Sequence, residues 1–347
     1  MDYRLSTTIN PTPAQWDVFV AAQPRAHALQ LANWAELKRQ QGWSSARAAF
    51  GDGDRILAGA QLLFYPLPAR LGRLAYLPMG PYVAPNAPQG TERELWNAID
   101  RCARSNGAAF LKWEPGLYLP GETPPDYAAL GFRESPQTVQ PPRTVAIDIR
   151  GDDETILARM NQGTRRKIRQ SGKHGVRYYE GTRDDVRKFT DMMQTTGSRN
   201  AFGVHEPRYY ERAYELFVPD YAALMLAEHE GDNLAGVMVF AVGKTAWYLY
   251  GASSDVKRDM MASYGVQWAA IQWAKARGAA WYDMWGIPDE DEAALEAQFQ
   301  SRSDGLWGVY GFKRGWGGQV LRSPGAWDKV YNPLVYAAYQ LALKVRG

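Results

Sequence analysis

The chain has 347 residues, a length that fits roughly two domains of about 150 residues each. Apolar residues make up 46% and charged residues 22%, so a large core can be buried and wholesale disorder is excluded. A net charge of +3 is too small for the chain as a whole to act as a polycation, and any nucleic-acid partner must be met by a local patch. One cysteine, Cys102, excludes an intrachain disulfide and a cysteine metal cluster. The histidines show neither H-x3-H nor H-E-x-x-H spacing, so no metal is expected. No apolar run approaches the ~18 residues that span a bilayer, and the first residues lack the order of a signal peptide. A cytoplasmic monomer without a transmembrane segment is expected.

Thr12-Pro13 is a helix start, followed by apolar Trp16, Phe19 and Val20. A second helix is predicted over 33–41, ended by Gly42. Strands at 47–50 and 56–66, separated by Gly51, Gly53 and two aspartates, read as a hairpin. A strand at 74–77, a helix at 91–105 and a strand at 109–113 follow, then a Pro- and Gln-rich stretch at 136–143 without periodicity. After a strand at 145–149, a single helix is predicted from Asp153 to about Ser171, with a domain boundary near 150. The second half repeats the pattern. Helices at 184–194 and 207–217 precede strands at 222–228, 235–242 and 246–250, a helix at 262–277 and a strand at 280–284. Asn332-Pro333 opens a final helix. This order predicts an α/β (α+β) fold of two domains, each with a mixed, partly antiparallel sheet flanked by helices.

Two stretches carry candidate chemistry. Arg165, Arg166 and Arg169 lie in a segment with no acidic residue between Ala158 and His174, and on a helix they share a face that suits a phosphate backbone. The alternative is a solvated helix face. A second basic region runs from Lys313 through Arg314, Arg322, Lys329 and Lys344 to Arg346. In 310–318 glycine fills four of nine positions around Phe312-Lys313. That density predicts tight backbone with a lysine placed where a ligand can approach, against the plainer reading of a hairpin turn with a surface lysine.

Taken together, Trp34 to Lys38 with Gly42-Trp43, Tyr76 to Pro81, Phe110 to Pro115, Met160 to Lys173, Tyr248 to Ser254, Tyr282 to Ile287 and Gly311 to Gly317 resemble the Fem-type (FemABX) peptidoglycan aminoacyltransferases in order and spacing, over nearly the whole chain. The resemblance implies two GNAT-like domains, 1–150 with 320–347 for the precursor and 151–319 for acyl transfer and the tRNA side. The final helix would return to the first domain. It also implies transfer of an amino acid from aminoacyl-tRNA, as co-substrate in place of a cofactor, to the stem peptide of a UDP- or lipid-linked muramyl peptide, with a peripheral contact at the inner membrane face. No long heptad stretch is present, so the chain resembles the short, arm-less type.

Carried over by position, Lys313 matches the lysine beside the acyl-transfer centre, where a cation would stabilise the tetrahedral oxyanion. Lys38 and Tyr209 match precursor-binding residues, with Tyr250 as a third contact for which Tyr248 competes, and Phe312 beside the lysine. His205 stands where the family commonly has arginine, so a bidentate phosphate fork is lost unless His205 is protonated or Arg208 substitutes. Glu114 falls where the family often has Asp, either to take a proton from the incoming ammonium or to orient the acceptor. Arg165, Arg166 and Arg169 would hold tRNA. Asp283 reads as structural, holding the turn 282–286. Two other classes fit the fold. An acyl-CoA N-acyltransferase would need a glycine-lined pyrophosphate nest, but Met261 stands where the first glycine belongs and Ser263 where glycine or alanine belongs. The other is a polysaccharide-modifying or purely binding relative.

Overall fold

The computed structural model describes residues 9–52, 55–200 and 203–346. The chain divides into two compact units, Arg143–Arg322 and the remainder, to which Ser323–Gly347 returns.

In the first unit, α1 (Pro13–Ala21) begins at a reciprocal cap. The Thr12 hydroxyl accepts from the Gln15 N–H, and the Gln15 side chain accepts from the Thr12 N–H. Trp16, Phe19 and Val20 are buried. After α2 (Ala32–Arg39), β1 (Ser44–Asp52) and β2 (Arg55–Pro66) form the expected hairpin. Then come β3 (Arg73–Pro78), β4 (Tyr82–Val83), α3 (Thr91–Ser105), β5 (Ala108–Glu114) and β6 (Arg133–Glu134). Strands pair antiparallel in the order β1-β2-β3, and β3 then pairs parallel with β5, with α3 as the crossover.

The second unit uses the same grammar. Its elements are β7 (Arg143–Asp148), α4 (Asp153–Arg159), α5 (Gln162–Lys173), β8 (Arg177–Glu180), α6 (Val186–Asn200), α7 (Pro207–Phe217), β9 (Ala222–His229), β10 (Asp232–Val242), β11 (Thr245–Ser253), α8 (Ala262–Ala276), β12 (Trp281–Asp283), α9 (Glu292–Gln298), α10 (Trp307–Lys313) and β13 (Gln319–Arg322). The sheet order is β13-β7-β12-β11-β10-β9-β8, and only β11 and β12 pair parallel, with α8 between them. The chain then returns as β14 (Trp327–Val330), which pairs with β5 and β6, and α11 (Pro333–Arg346), whose Tyr336 packs edge-on to Phe110 at 5.1 Å.

Three expectations change. The strand placed before a boundary at 150 belongs to the second unit, because β7 pairs with β12 and β13. The single helix over 153–171 is two helices. Met160 is extended, and the Asn161 side chain accepts from the Thr164 N–H, starting a new helix. The glycine-rich segment is neither a hairpin turn nor a run of left-handed residues: α10 covers 307–313, and of its glycines Gly317 alone has positive φ, +73°.

The first unit is pinned by a buried ion pair that sequence reasoning missed. Lys112, in mid β5, and Asp328, on β14, are 3.0 Å apart and both essentially fully buried. Lys112 Nζ also donates to the Ser135 hydroxyl and the Gln137 carbonyl, and Tyr336 Oη donates to Asp328 at 2.8 Å. Asp328→Ala, which leaves the ammonium without its counter-charge, is expected to lower stability by about 3–5 kcal/mol. The apolar pair Lys112→Met with Asp328→Leu should recover most of that loss, read as the midpoint of urea unfolding.

Candidate active site

Lys313 ends α10 and is 6% exposed, so the surface reading is excluded. Its Nζ donates to the Gly286 carbonyl at 2.7 Å and to the Trp285 carbonyl at 3.2 Å. Those carbonyls are turned by Trp285, held at φ +59°, a left-handed conformation unusual for a bulky side chain. Asp283 secures the turn, accepting from the Trp285 N–H at 2.7 Å and from the Thr144 hydroxyl, in keeping with its structural reading. Burial pushes the Lys313 ammonium down to about 7, against the pull of the Asp283 charge. Burial likewise pushes Asp283 up to about 6, offset by the Thr144 and Trp285 bonds and the nearby lysine.

The sheet opens beside this lysine. β11 and β12 pair only over Thr245–Trp247 and Trp281–Asp283. Beyond them the chain after β12 follows β7, with the Met284 N–H on the Val145 carbonyl, while β11 runs on to Ser253. In that gap the Tyr248 ring lies 5.7 Å from Lys313 Nζ. A Cβ on Gly251 would sit 2.1 Å from Tyr248 Oη, so glycine there makes room for the ring.

A β-bulge separates Tyr248 from Tyr250. Tyr248 registers with Val239 and Tyr250 with Met238, so Leu249 is the extra residue and the two tyrosines face opposite sides. Tyr248 joins the core cluster on the α8 side. Tyr250 Oη is 2.9 Å from Tyr209 Oη of α7, and the His205 ring stacks on Tyr209 at 3.8 Å. The His205 N–H donates to Tyr210 Oη at 3.3 Å. Burial raises both Tyr209 and Tyr250 well above the ordinary tyrosine value, so these hydroxyls keep their protons at neutral pH. His205, Tyr209 and Tyr250 thus form one cluster, while Arg208 is exposed on the first turn of α7.

Phe312 is half-buried and packs on Tyr264 and Trp316 at 5.0 and 5.7 Å. Two glycines nearby allow close approach within the protein. A Cβ on Gly315 would lie 2.4 Å from Thr164 Oγ1, and one on Gly317 2.1 Å from the Arg159 carbonyl. With the Asn161 N–H on the Gly315 carbonyl, they seat the lysine segment on the start of the basic helix α5. On α5, Arg166 and Arg169 are exposed, but Arg165 is committed to the Ala158 and Met160 carbonyls at the end of α4. The C-terminal basic residues are largely consumed in ion pairs: Arg314 with Glu296, Arg322 with Asp289, Lys329 with Asp100.

In the first unit, Lys38 is half-buried on α2, 5.0 Å from the Trp34 ring and bonded to Gln41, and burial pushes it down to about 8. Glu114 ends β5. It accepts from the Tyr76 hydroxyl and from the Val139 and Gln140 N–H groups. Burial raises it, and these bonds work against the rise. Both of its oxygens accept hydrogen bonds, which tie the 139–140 backbone to the end of β5. A cleft of about 370 Å³ lined by Arg25, Tyr82, Trp96, Trp113 and Tyr118 also lies in this unit, and none of the sequence-predicted site residues lines it.

The FemAB family profile matches residues 12–123, 126–233 and 228–344. The chain belongs to the FemAB family. It is 27% identical to a lipid II:glycine glycyltransferase of Staphylococcus saprophyticus, over 402 aligned positions that cover 94% of each chain. The alignment is longer than the present chain, so the relative holds segments this one lacks. The structure superposes on the crystal structure of FemX with a TM-score of 0.85 at 23% identity, covering 96% of this chain and 99% of that one. A tandem GNAT protein from the clavulanic acid biosynthesis pathway superposes at 0.52 and 14% identity, covering 92% and 94%. The fold is therefore the GNAT-like one expected. Among the described residues the longest helices have 15 residues, and none is long and apolar enough to cross a membrane.

The lowered proton affinity of Lys313 has a measurable consequence. Between about pH 7 and the ordinary lysine value of 10.5, the unfolded chain holds a proton that the folded chain has shed, so this group makes stability rise with pH across that window. Asp283, raised from 3.8 to about 6, acts in the opposite sense and lower, its contribution being lost as pH climbs through that range. The urea midpoint of the wild type should rise across that alkaline window, and Lys313→Met should flatten the rise.

Proposed function

We propose that the chain is an aminoacyltransferase that moves an amino acid from aminoacyl-tRNA to the stem-peptide amine of a lipid-linked peptidoglycan precursor, as a step in interpeptide bridge formation. The observation that carries this reading is the buried Lys313 ammonium at the parting of β11 and β12. The donor ester is already activated. The acceptor amine attacks its carbonyl carbon, a C–N bond forms, and the carbonyl oxygen takes up negative charge. A cation in a dry site, fixed by two carbonyls, stabilises that charge without reorganisation. The approaching oxyanion also favours the protonated lysine that burial alone disfavours. Collapse breaks the ester C–O bond, and the ribose hydroxyl leaves with a proton derived from the acceptor amine. No cofactor is proposed.

The Tyr209–Tyr250 hydroxyl pair with His205, and Lys38 in the first unit, are the proposed precursor contacts. Exposed Arg166 and Arg169 are the proposed tRNA contacts. The acyl-CoA alternative is disfavoured at the start of α8. Met261 there has φ +55° and carries a side chain, and Gln170 Nε2 bonds the Asp259 carbonyl across the loop at 3.0 Å, so the glycine-lined approach a pyrophosphate needs is missing. Incubation with lipid-linked precursor and a mixed aminoacyl-tRNA pool, read by mass spectrometry, tests the reading. A product carrying no added residue would sink it.

Lys313→Met is expected to lower kcat by about 10²–10³ or more with the circular dichroism spectrum unchanged; normal turnover would remove Lys313 from the site. Replacing Arg166 and Arg169 together by alanine should weaken tRNA binding and make its salt slope shallower by about 1–2. Arg165→Ala should act on stability instead.

A further inference from the structure

Both hydrogen-bond acceptors of Lys313 Nζ are consecutive carbonyls of one turn. An ammonium has three N–H groups, so one is left without an acceptor from the protein. Among the described residues no carboxylate forms an ion pair with it. Its other close neighbour is the Tyr248 ring, whose centroid lies 5.7 Å from Nζ, inside the ~6 Å over which an aromatic quadrupole attracts a cation. Burial pushes the Tyr248 hydroxyl up to about 12, so the ring stays neutral. A carboxylate in that place would cancel the charge of the lysine, and an aliphatic side chain would leave that side of the ammonium without any favourable contact. A neutral ring attracts the cation and leaves its charge in place.

The seat of the ring is built into β11. Tyr248 registers with Val239 and Gly251 with Val237, so the bulge between them turns both residues to one face. The ring then lies along the strand, directly over Gly251. A Cβ at 251 would stand 2.1 Å from Tyr248 Oη, 2.2 Å from Cε2 and 2.4 Å from Cζ. Gly251 is not among the residues with positive φ, so its backbone would accept a side chain and the room for the ring is what calls for glycine. The other titratable groups here are Asp283, whose charge acts on Lys313, and Tyr282 of β12, which feels both Tyr248 and Asp283.

We propose that Tyr248 is a positioning residue for acyl transfer, its ring holding the charged Lys313 side chain in the opening between β11 and β12, with Gly251 as its seat. This deepens the acyl-transfer reading, on which it rests. The test uses the full chain as Tyr248→Leu, Tyr248→Phe and Gly251→Ala, each checked first for an unchanged circular dichroism spectrum. One readout is kcat and KM for transfer from aminoacyl-tRNA to the lipid-linked precursor. The other needs no substrate: the pH dependence of Lys313 acetylation by acetic anhydride, followed by mass spectrometry. Only the neutral amine reacts, so the midpoint reports how tightly the lysine holds its proton. Tyr248→Leu and Gly251→Ala should each lower kcat about 3- to 30-fold at unchanged KM, and move the acetylation midpoint to lower pH by about half a unit or more. Tyr248→Phe keeps the ring and should recover the wild-type midpoint and most of the lost kcat. If Gly251→Ala does not fold, the leucine and phenylalanine variants decide by themselves. A Tyr248→Leu midpoint equal to that of the wild type would overturn the proposal. So would a Tyr248→Phe midpoint displaced as far as that of Tyr248→Leu, which would give the role to the hydroxyl. Midpoints that move as expected while even the wild type transfers nothing would uphold the hold of the ring on Lys313 and bring down only the acyl-transfer reading.

Discussion

A lysine ammonium in a protein interior must be solvated by something other than water, and much of the second unit is arranged around that requirement. Lys313 is solvated by the two carbonyls of Trp285 and Gly286. They can converge on it because Trp285 adopts a left-handed conformation, and Asp283 holds that conformation from beneath. The turn in turn takes the chain away from β11 and along β7, which opens the sheet. The short α10 that delivers the lysine is pressed on the α4–α5 junction through Gly315 and Gly317. Cation, opening and basic helix are therefore parts of one packed arrangement.

The two units answer the same problem differently. Each has one parallel strand pair in an otherwise antiparallel sheet. In the first, the buried lysine of β5 is neutralised at 3.0 Å by Asp328, and the carboxylate at the strand end is saturated by Tyr76 and the 139–140 backbone. In the second, the buried lysine faces neutral carbonyls, with its carboxylate partner engaged in holding a turn. A charge neutralised by a close counter-ion does structural work. A charge held chiefly by dipoles, with its carboxylate set back in a turn, keeps a field that a developing anion can use.

Regular elements with strong end signals were legible in the sequence. The helices at Thr12-Pro13, 91–105 and 207–217 carry caps, a first-turn proline or a clear apolar face, and they form where expected. What was not legible depends on contacts distant in sequence. Nothing local shows that Asn161 restarts a helix, that 143–148 pairs with strands 130 or more residues onward, or that the glycines of 310–318 are spaced for Thr164 and the Arg159 carbonyl. The site was read in part. Lys313 stood out in its glycine-rich segment, whereas His205, Tyr209 and Tyr250 were reached only through the family resemblance. The contacts of Glu114 with Tyr76 and the 139–140 backbone, and of Phe312 with Tyr264 and Trp316, join residues far apart in sequence and could not be read locally. Lys112 could have been found, since a lysine in the wholly apolar run 108–113 needs a hidden partner.

The extra residue at Leu249 has a wider meaning. Side-chain direction along a strand is a parity, and one inserted residue reverses it for everything downstream. Tyr248 and Tyr250 are two positions apart yet serve different compartments, one beside the lysine and one in the hydroxyl cluster. The residue count between them is thus as much a determinant of the site as their identity. A relative that kept both tyrosines with one residue between them but ran that stretch as a regular strand, without the bulge, would present them to a single face.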